Sequence, residues 1–102
     1  MDTGSDVGCV GAATDILGDK WTPQLLRHFF AQDKVRFCQL QDNCKGINPR
    51  TLSARLTRLE TSGIIQRLPT DTSRHEYAIT QKGKDLLPIL QSMRAWSEKY
   101  GY

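Results

Sequence analysis

The polar side chains of residues 48–67 are those whose types and spacing could do chemistry in this chain. The stretch reads NPRTLSARLTRLETSGIIQR, and Arg50, Ser53 and Thr57 fall on one side of a helix drawn at 100° per residue. Guanidinium and hydroxyl groups so arranged can bond to phosphate oxygens and base edges, while Ala54 between them leaves room for a thymine methyl group. The pattern therefore indicates contact with a polyanion.

The predicted contact surface extends to residues that flank this face. The full set of predicted DNA contacts is Arg50, Thr51, Ser53, Ala54, Thr57, Arg58, Arg36, Lys45, Arg67, Arg74 and His75. The free N–H groups at the start of the helix would also favour a phosphate. Arg55 falls nearer the apolar side and is a weaker candidate. For the helix taken alone, an ordinary amphipathic helix with a solvated basic face is an equally good explanation.

Positive charge is concentrated in the same part of the chain. The protein has 102 residues and a formal net charge of +3. Residues 45–75 contain six lysines and arginines against two acidic residues, whereas residues 1–33 contain two against five. One basic region in an otherwise balanced chain favours a localised contact with a polyanion.

The elements that must position this face follow from apolar periodicity and capping residues. Helices are predicted from about Cys9 to Leu17, from the N-cap Thr22 through Phe30, from about Cys38 to Cys44, from the N-cap Asn48 to Thr61, and from the N-cap Thr80 to Tyr100. KVRF is expected to be short and extended, and IIQRL and HEYAI predict two strands joined by the turn PTDTS. Pro88 lies near the start of the last helix, where it could introduce a bend.

This order of elements is typical of a winged helix-turn-helix domain. We predict an α+β, mostly helical fold with a two-stranded wing and a long C-terminal dimerisation helix. Residues 1–8 are expected to be a disordered N-terminus, and residues 9–102 to form the DNA-binding domain with its N- and C-terminal helices at a dimer interface. The second helix of the motif would then be the one that enters the major groove.

The last predicted helix carries a longer apolar stripe than a domain of this size is expected to cover. Together with the first helix it predicts a dimer interface made by Val10, Ala13, Ile16, Leu86, Leu90, Met93, Trp96 and Tyr100. A twofold dimer would place two reading helices about one DNA turn apart, ~34 Å. The alternative is that these residues cover the core of a single domain.

Several motifs together resemble a known family. DILGDKWTPQLLRHFF, VRFCQL, GINPRTLSARLTRLETSGIIQR and EYAITQKGKDLLPIL are similar to the HxlR-type winged-helix transcription regulators of the MarR-like group. The resemblance implies a cytoplasmic prokaryotic regulator that binds a pseudo-palindromic operator as a homodimer. It also implies that the dimer forms through the first and last helices. Asp19 departs from the pattern, which usually has a second glycine there, and the hairpin looks shorter than usual.

The cysteines Cys9, Cys38 and Cys44 fit no metal-binding spacing, so no metal site is predicted. Some members of the resembled family sense oxidants or electrophiles through a cysteine before the first helix, which implies that role for Cys9. A helix N-terminus favours the reactive thiolate, although nearby aspartates oppose it. For Cys9 an inert buried thiol is the open alternative, and for Cys38 and Cys44 it is the favoured one.

Other classes of function lack support in the sequence. There is no GxSxG, Walker or HExxH motif, so we predict neither an enzyme nor a cofactor. No apolar run is long enough to span a membrane, and the N-terminus lacks the features of a secretory signal, so a cytoplasmic location is expected. The remaining alternative is a winged-helix module for protein–protein contact without specific DNA binding. The sequence identifies no small-molecule effector.

Overall fold

Six short helices surround a small antiparallel sheet, and the computed structural model describes residues 10–70 and 75–102. Helices α1 to α6 span Gly11–Leu17, Thr22–Ala31, Phe37–Asn43, Pro49–Thr61, Gln81–Lys84 and Leu87–Lys99. Strands β1 to β3 span Val35–Arg36, Ile65–Leu68 and Glu76–Ile79. In the two described ranges, no helix combines the length and hydrophobicity needed to cross a membrane.

The cap of α2 differs from the predicted one. Thr22 is the first residue of the helix, and the capping group is the side chain of Asp19. Its Oδ1 accepts hydrogen bonds from the backbone N–H of Trp21 at 2.8 Å and of Thr22 at 2.9 Å. A carboxylate in this position satisfies amides that have no partner within the helix, and it also faces the positive end of the helix dipole.

The sheet has one strand more than the predicted two-stranded wing. β2 and β3 form the antiparallel hairpin, with Arg67 opposite Tyr77. β1 pairs with the other edge of β3, with Val35 opposite the same Tyr77, so the strand order is β1-β3-β2. The segment KVRF is extended as expected, but its pairing with a strand forty residues later depends on tertiary contacts. Strand β1 therefore connects the wing to the start of α3, which follows it directly in the chain.

The core lies between α2, α3, α4 and the sheet. Its buried hydrophobic residues are Leu25, Leu26, Phe29, Val35, Leu40, Cys44, Ile47, Leu52, Leu56, Leu59, Ile64, Ile65, Tyr77 and Leu86. The buried sides of α2 and α4 consist of residues that recur at helical spacing, namely Leu25, Leu26 and Phe29 of α2 and Leu52, Leu56 and Leu59 of α4. Phe30 and Leu90 are partly buried against the same cluster.

The single predicted C-terminal helix is two helices. Thr80 caps the first as predicted, since its Oγ1 accepts the Gly83 N–H at 3.2 Å, but α5 ends at Lys84. Pro88 lies in the first turn of α6, where its missing N–H costs no hydrogen bond, so it marks a new start and not a bend. Gly83 lies so close to the Ile64 carbonyl that a Cβ there would collide with it.

Helix α6 extends beyond the packed part of the chain. None of its residues is buried, and the same holds for α1. The radius of gyration is 15.0 Å, whereas a compact domain of about 100 residues has one near 13 Å. The longest dimension, 54 Å, is nearly twice the next, 29 Å. The fold thus has a packed half and a half that the chain itself does not cover.

Candidate nucleic-acid interface

Packing of α4 turns its polar side outward. Leu52, Leu56 and Leu59 are at most 2% exposed and hold one side of the helix against the core. On the opposite side the exposed residues are Arg50, Ser53, Ala54, Thr57 and Arg58. Thr51, also predicted as a contact, is half-buried. A row of small and hydroxyl side chains between two arginines lets a helix backbone approach a flat polar surface closely.

Asn48 closes the N-terminus of α4. Its Oδ1 accepts hydrogen bonds from the backbone N–H of Arg50 at 2.8 Å and of Thr51 at 3.1 Å. They belong to the first-turn amides that lack a partner within the helix, and Pro49 contributes none because proline has no N–H. Asn48 is confirmed as the N-cap, and because it occupies these two amides, the expected phosphate contact through free N–H groups loses two of its donors.

The C-terminal end of α4 is held by the segment that begins α5. The Lys82 Nζ donates to the Ser62 carbonyl at 2.7 Å, and the Thr80 Oγ1 donates to the Ile64 carbonyl at 3.0 Å. Gly63 between them has φ of +77°, the left-handed conformation that ends many helices. Both ends of α4 are therefore fixed by side chains as well as by its apolar side.

The arginines of this surface fall into two classes. Within residues 10–70 and 75–102, Arg50 and Arg58 have no carboxylate partner. By contrast, Arg36 Nε lies 3.4 Å from Glu76 Oε2, and Arg67 Nη2 lies 3.4 Å from Glu60 Oε1. Arg50 and Arg58 are thus free to bind an anion, whereas Arg36 and Arg67 must give up their carboxylate partners to bind one.

The remaining predicted contacts lie around the same surface. Lys45 and His75 are both exposed, the first in the turn before α4 and the second at the start of β3. The Arg67 guanidinium also lies 5.9 Å from the centre of the Tyr77 ring, which holds it against the wing. The predicted contact Arg74 lies outside the described residues.

Asp19 is a residue of this region that the sequence did not single out as functional. In addition to capping α2, its Oδ1 lies 3.3 Å from Arg55 Nε on α4. Burial alone would raise the pKa of Asp19, but hydrogen bonds from Thr22 and Trp21 and the charge of Arg55 together lower it below the ordinary 3.8. The available signal was a carboxylate three residues before a Thr-Pro helix start.

The position of Arg55 fits its lower rank as a groove candidate. Its side chain is 30% exposed, and its Nε is shielded from solvent without a well-aligned hydrogen bond among the described residues. The guanidinium faces the α1–α2 turn and not the outward side of α4. Arg55 is therefore an internal contact of the domain.

The two described cysteines differ in accessibility. Cys44 is 2% exposed, and burial raises the pKa of its thiol, so the expectation that this cysteine is buried is confirmed. Cys38, on α3, is exposed and unpaired, contrary to the same expectation. Cys9 lies outside the described residues.

The predicted dimer residues divide between the core and an exposed face. Leu86, the residue before α6, is buried in the chain's own core, and Leu90 is partly buried against the same core. Val10, Met93, Trp96 and Tyr100 are between 46% and 58% exposed. Ala13 and Ile16 are intermediate.

Ile89 belongs to the exposed face and was missed by the sequence prediction. It is 42% exposed and precedes Met93, Trp96 and Tyr100 at spacings of four, seven and eleven residues. These four residues therefore lie within about 60° of arc on one side of α6. That spacing was readable from the sequence, but the alternative register through Leu86 and Leu90 concealed it. We call this set the α6 face.

No group of three or more metal-ligating side chains occurs among residues 10–70 and 75–102. A groove of about 360 Å³ lies between α2 and α6, with Phe30, Leu87 and Leu90 among its lining residues and Arg27 and Arg94 also beside it. It adjoins the α6 face through Met93.

Comparison with known proteins agrees with this geometry. The model of the HxlR-like helix-turn-helix family matches residues 16–102. An uncharacterized HTH-type transcriptional regulator of Mycobacterium tuberculosis is 39% identical over 93 residues, which are 89% of this chain and 58% of that protein. One from Methanothermobacter thermautotrophicus is 34% identical over 97% of this chain and 81% of its own length. The chain thus spans little more than half the length of the mycobacterial relative.

Among solved structures, the redox regulator HypR is similar in both of its forms. The reduced form is 32% identical with a TM-score of 0.82, covering 90% of this chain and 92% of that one. The oxidized form is 33% identical with a TM-score of 0.79, covering 88% and 94%. The arrangement of α4, the wing and the terminal helices is therefore one that known regulators share.

Proposed function

The chain belongs to the HxlR-like helix-turn-helix family of transcriptional regulators, and on that premise we propose that it binds a specific pseudo-palindromic operator in double-stranded DNA as a homodimer. Helix α4 enters the major groove, and the wing contacts the neighbouring backbone. Its site of action is the cytoplasm of a prokaryotic cell, where the DNA lies.

The observation that carries this proposal is the composition of the outward side of α4. Arg50 and Arg58 are exposed and lack carboxylate partners among the described residues, with Ser53, Ala54 and Thr57 between them. Arginine can bind guanine with two hydrogen bonds, and the small residues allow the helix to approach the bases. A protein-binding winged helix would instead need an exposed apolar side, which α4 does not have.

The α6 face supports the homodimer. Four large apolar residues are exposed along one side of a helix that extends away from the core. Burying an aromatic side chain such as Trp96 against a second copy removes a large apolar area from water, and buried aromatic residues contribute much of the binding energy of interfaces. Two copies then present two α4 helices to half-sites about 34 Å apart.

The direct test is selection of bound sequences from a random DNA pool, followed by titration of the selected duplex and a scrambled one. We expect tight binding to the selected duplex, with a steep loss of affinity as salt rises. Replacing Arg50 or Arg58 with alanine should weaken binding about 10- to 100-fold, as expected when a specific base or phosphate contact is lost.

Arg94→Ala is the matched control. Arg94 is 80% exposed and pairs only with Glu98 of its own helix among the described residues, so this variant loses the same charge away from α4. It should bind the selected duplex like the wild type. If the pool yields no preferred sequence, the chain is a protein-contact module with a solvated basic helix. If a sequence is selected and all three variants bind it equally, Arg50 and Arg58 are not its contacts.

The likeness to HypR, a protein named a redox regulator, favours a second element of function. We propose that operator binding responds to oxidation of Cys9. The thiols of two protomers would lose two electrons and two protons to an oxidant such as diamide, which becomes the hydrazine, and a disulfide bond would form between them.

This redox proposal is tested by adding diamide to the protein–operator complex and then a reducing agent. We expect the affinity of the wild type for the operator to change at least about tenfold and to recover on reduction. A reversible disulfide between the protomers would shift the equilibrium between two arrangements of the dimer. The Cys9→Ser variant should be insensitive, while Cys38→Ser should respond like the wild type. The opposite pattern would make the exposed Cys38 the sensing thiol.

A further inference from the structure

We propose that the ion pair between Asp19 and Arg55 is a positioning contact that fixes the orientation of α4 for base reading. The inference rests on the proposed function of α4 and adds two residues that do not themselves touch DNA. It also identifies the α1–α2 turn as the part of the domain to which the reading helix is fastened.

Asp19 is positioned to serve two elements at once. Its carboxylate accepts hydrogen bonds from the N–H of Trp21 and Thr22 at the start of α2 and from the Thr22 hydroxyl. The same Oδ1 lies 3.3 Å from Arg55 Nε. Because the three hydrogen bonds from Trp21 and Thr22 hold the carboxylate in place, the partner on α4 meets a fixed charge.

Arg55 is suited to respond to that charge. Its Nε is shielded from solvent and has no aligned hydrogen-bond partner among the described residues, so the Asp19 carboxylate is the group that compensates it. At 100° per residue, Arg55 lies about 160° around α4 from Thr57, a residue of the outward side. It therefore cannot reach the groove that Arg50 and Thr57 would contact.

Other contacts of α4 hold its two ends and its inner side. Asn48 caps the helix from within its own chain segment, and the leucines of its inner side make contacts that have no preferred direction. The bonds from Thr80 and Lys82 hold only the C-terminal end. The ion pair is a contact between two specific side chains near the middle of the helix. A small shift of a reading helix misaligns bidentate base contacts, which require specific geometry.

The pair also joins the two halves of the fold. The α1–α2 turn directly follows α1, which has no buried residue and carries Ala13 and Ile16, two of the predicted dimer residues.

The test uses substitutions that separate the pair from the cap. Asp19→Asn keeps an oxygen that can accept from Trp21 and Thr22 but removes the charge opposite Arg55. Arg55→Met keeps an apolar stem, and Arg55→Lys keeps the charge. All three, with the double variant Asp19→Asn/Arg55→Met, are titrated against the selected and the scrambled duplex.

We expect Asp19→Asn and Arg55→Met each to weaken binding to the selected duplex about tenfold, with the double variant no weaker than either, because the two residues act through one interaction. Binding to the scrambled duplex should be unchanged. Arg55→Lys should recover part of the loss, which a purely space-filling role would not allow.

The dependence of affinity on salt distinguishes positioning from direct contact. The slope of log K against log salt should stay at the wild-type value in Arg55→Met, whereas Arg50→Ala should lower it by about one per lost phosphate contact. An equal fall in slope for Arg55→Met would make Arg55 a phosphate contact and overturn the positioning role.

Failure of this inference differs from failure of the proposed function. A wild type that selects no DNA sequence refutes the proposed function. A wild type that binds its selected duplex, with Asp19→Asn and Arg55→Met binding equally well, refutes only the positioning role. Losses that multiply in the double variant, or that affect both duplexes equally, refute it as well.

Discussion

The packed half of the molecule and its terminal helices use the same kind of apolar periodicity with opposite results. In α4, Leu52, Leu56 and Leu59 recur at helical spacing and are fully buried. In α6, Met93, Trp96 and Tyr100 recur at similar spacing and are about half exposed. Periodicity therefore predicts that a helix has an apolar side, but not whether the same chain covers it.

The difference has a physical cause in chain length. A domain of about 100 residues can surround one modest core, and the elements between α2 and α5 already fill it. Further apolar residues have no remaining surface of their own chain to meet. An exposed apolar stripe of this kind marks an interaction site.

The largest expected effect tests the packed half. Leu56→Ala should lower the free energy of unfolding by about 3 kcal/mol, because a fully buried leucine leaves a cavity when truncated. Urea denaturation followed by circular dichroism measures it. Thr57→Ala, the next residue on the exposed side of the same helix, should change stability by less than about 0.5 kcal/mol. Equal losses would show that α4 is not packed as described.

The second prediction tests the α6 face. Met93→Glu should raise the dimer dissociation constant at least about 100-fold, because a carboxylate would enter a dry apolar interface without a partner. Ala95→Glu adds the same charge to an exposed position of α6 away from this face and should have little effect. Sedimentation velocity across a dilution series measures both. A Met93→Glu protein that still dimerises normally would place the interface elsewhere.

A smaller effect concerns the ion pair between Asp19 in the α1–α2 turn and Arg55 on α4. The pKa of Asp19 is lowered in the folded state, so its charge stabilises the fold above the ordinary value of 3.8, and this contribution disappears as pH falls through the lower folded value. The stability difference between wild type and Asp19→Asn should therefore be constant near neutral pH and shrink as the pH falls below 3.8 towards the lowered folded value. Urea midpoints from pH 7 downward measure it, and a difference that does not shrink below the ordinary value would exclude the carboxylate charge of Asp19 as its source.

The smallest effect is a difference in reactivity between the exposed thiol of Cys38 and the buried thiol of Cys44, both in the packed half. With Cys9 replaced by serine, Cys38 should react with iodoacetamide at pH 8 at about the rate of a free thiol, because it is exposed. Cys44 should react only after addition of urea, because it is buried and its thiol pKa is raised. Mass spectrometry of the digested protein measures both sites. Comparable labelling of both thiols without urea would show that the core opens locally at α3.

The sequence predicted the packed half almost completely. Asn48 and Pro49 mark the start of α4, Gly63 marks its end, and the leucine spacing identifies its inner side. All three signals come from residues close together in the chain. The hairpin was equally local. The cap of α2 was assigned to Thr22 instead of Asp19 because both types cap helices, and only the backbone path decides which one reaches the amides.

Most of the other features that escaped the sequence depend on distant residues. β1 becomes a strand only because β3 offers it an edge. The break before α6 and the choice between Leu90 and Ile89 as its outward residue depend on how the helix meets the core. The pairing of Arg55 with Asp19 joins residues 36 positions apart.

The amino-acid sequence by itself determined the order of the elements, the polar side of α4 and the family, because caps, turns and helical spacing act over a few residues. The tertiary structure alone decided which apolar side is buried, which arginines are paired and which carboxylate pairs with α4. Those outcomes depend on where distant segments meet, and local propensity carries no information about such distances.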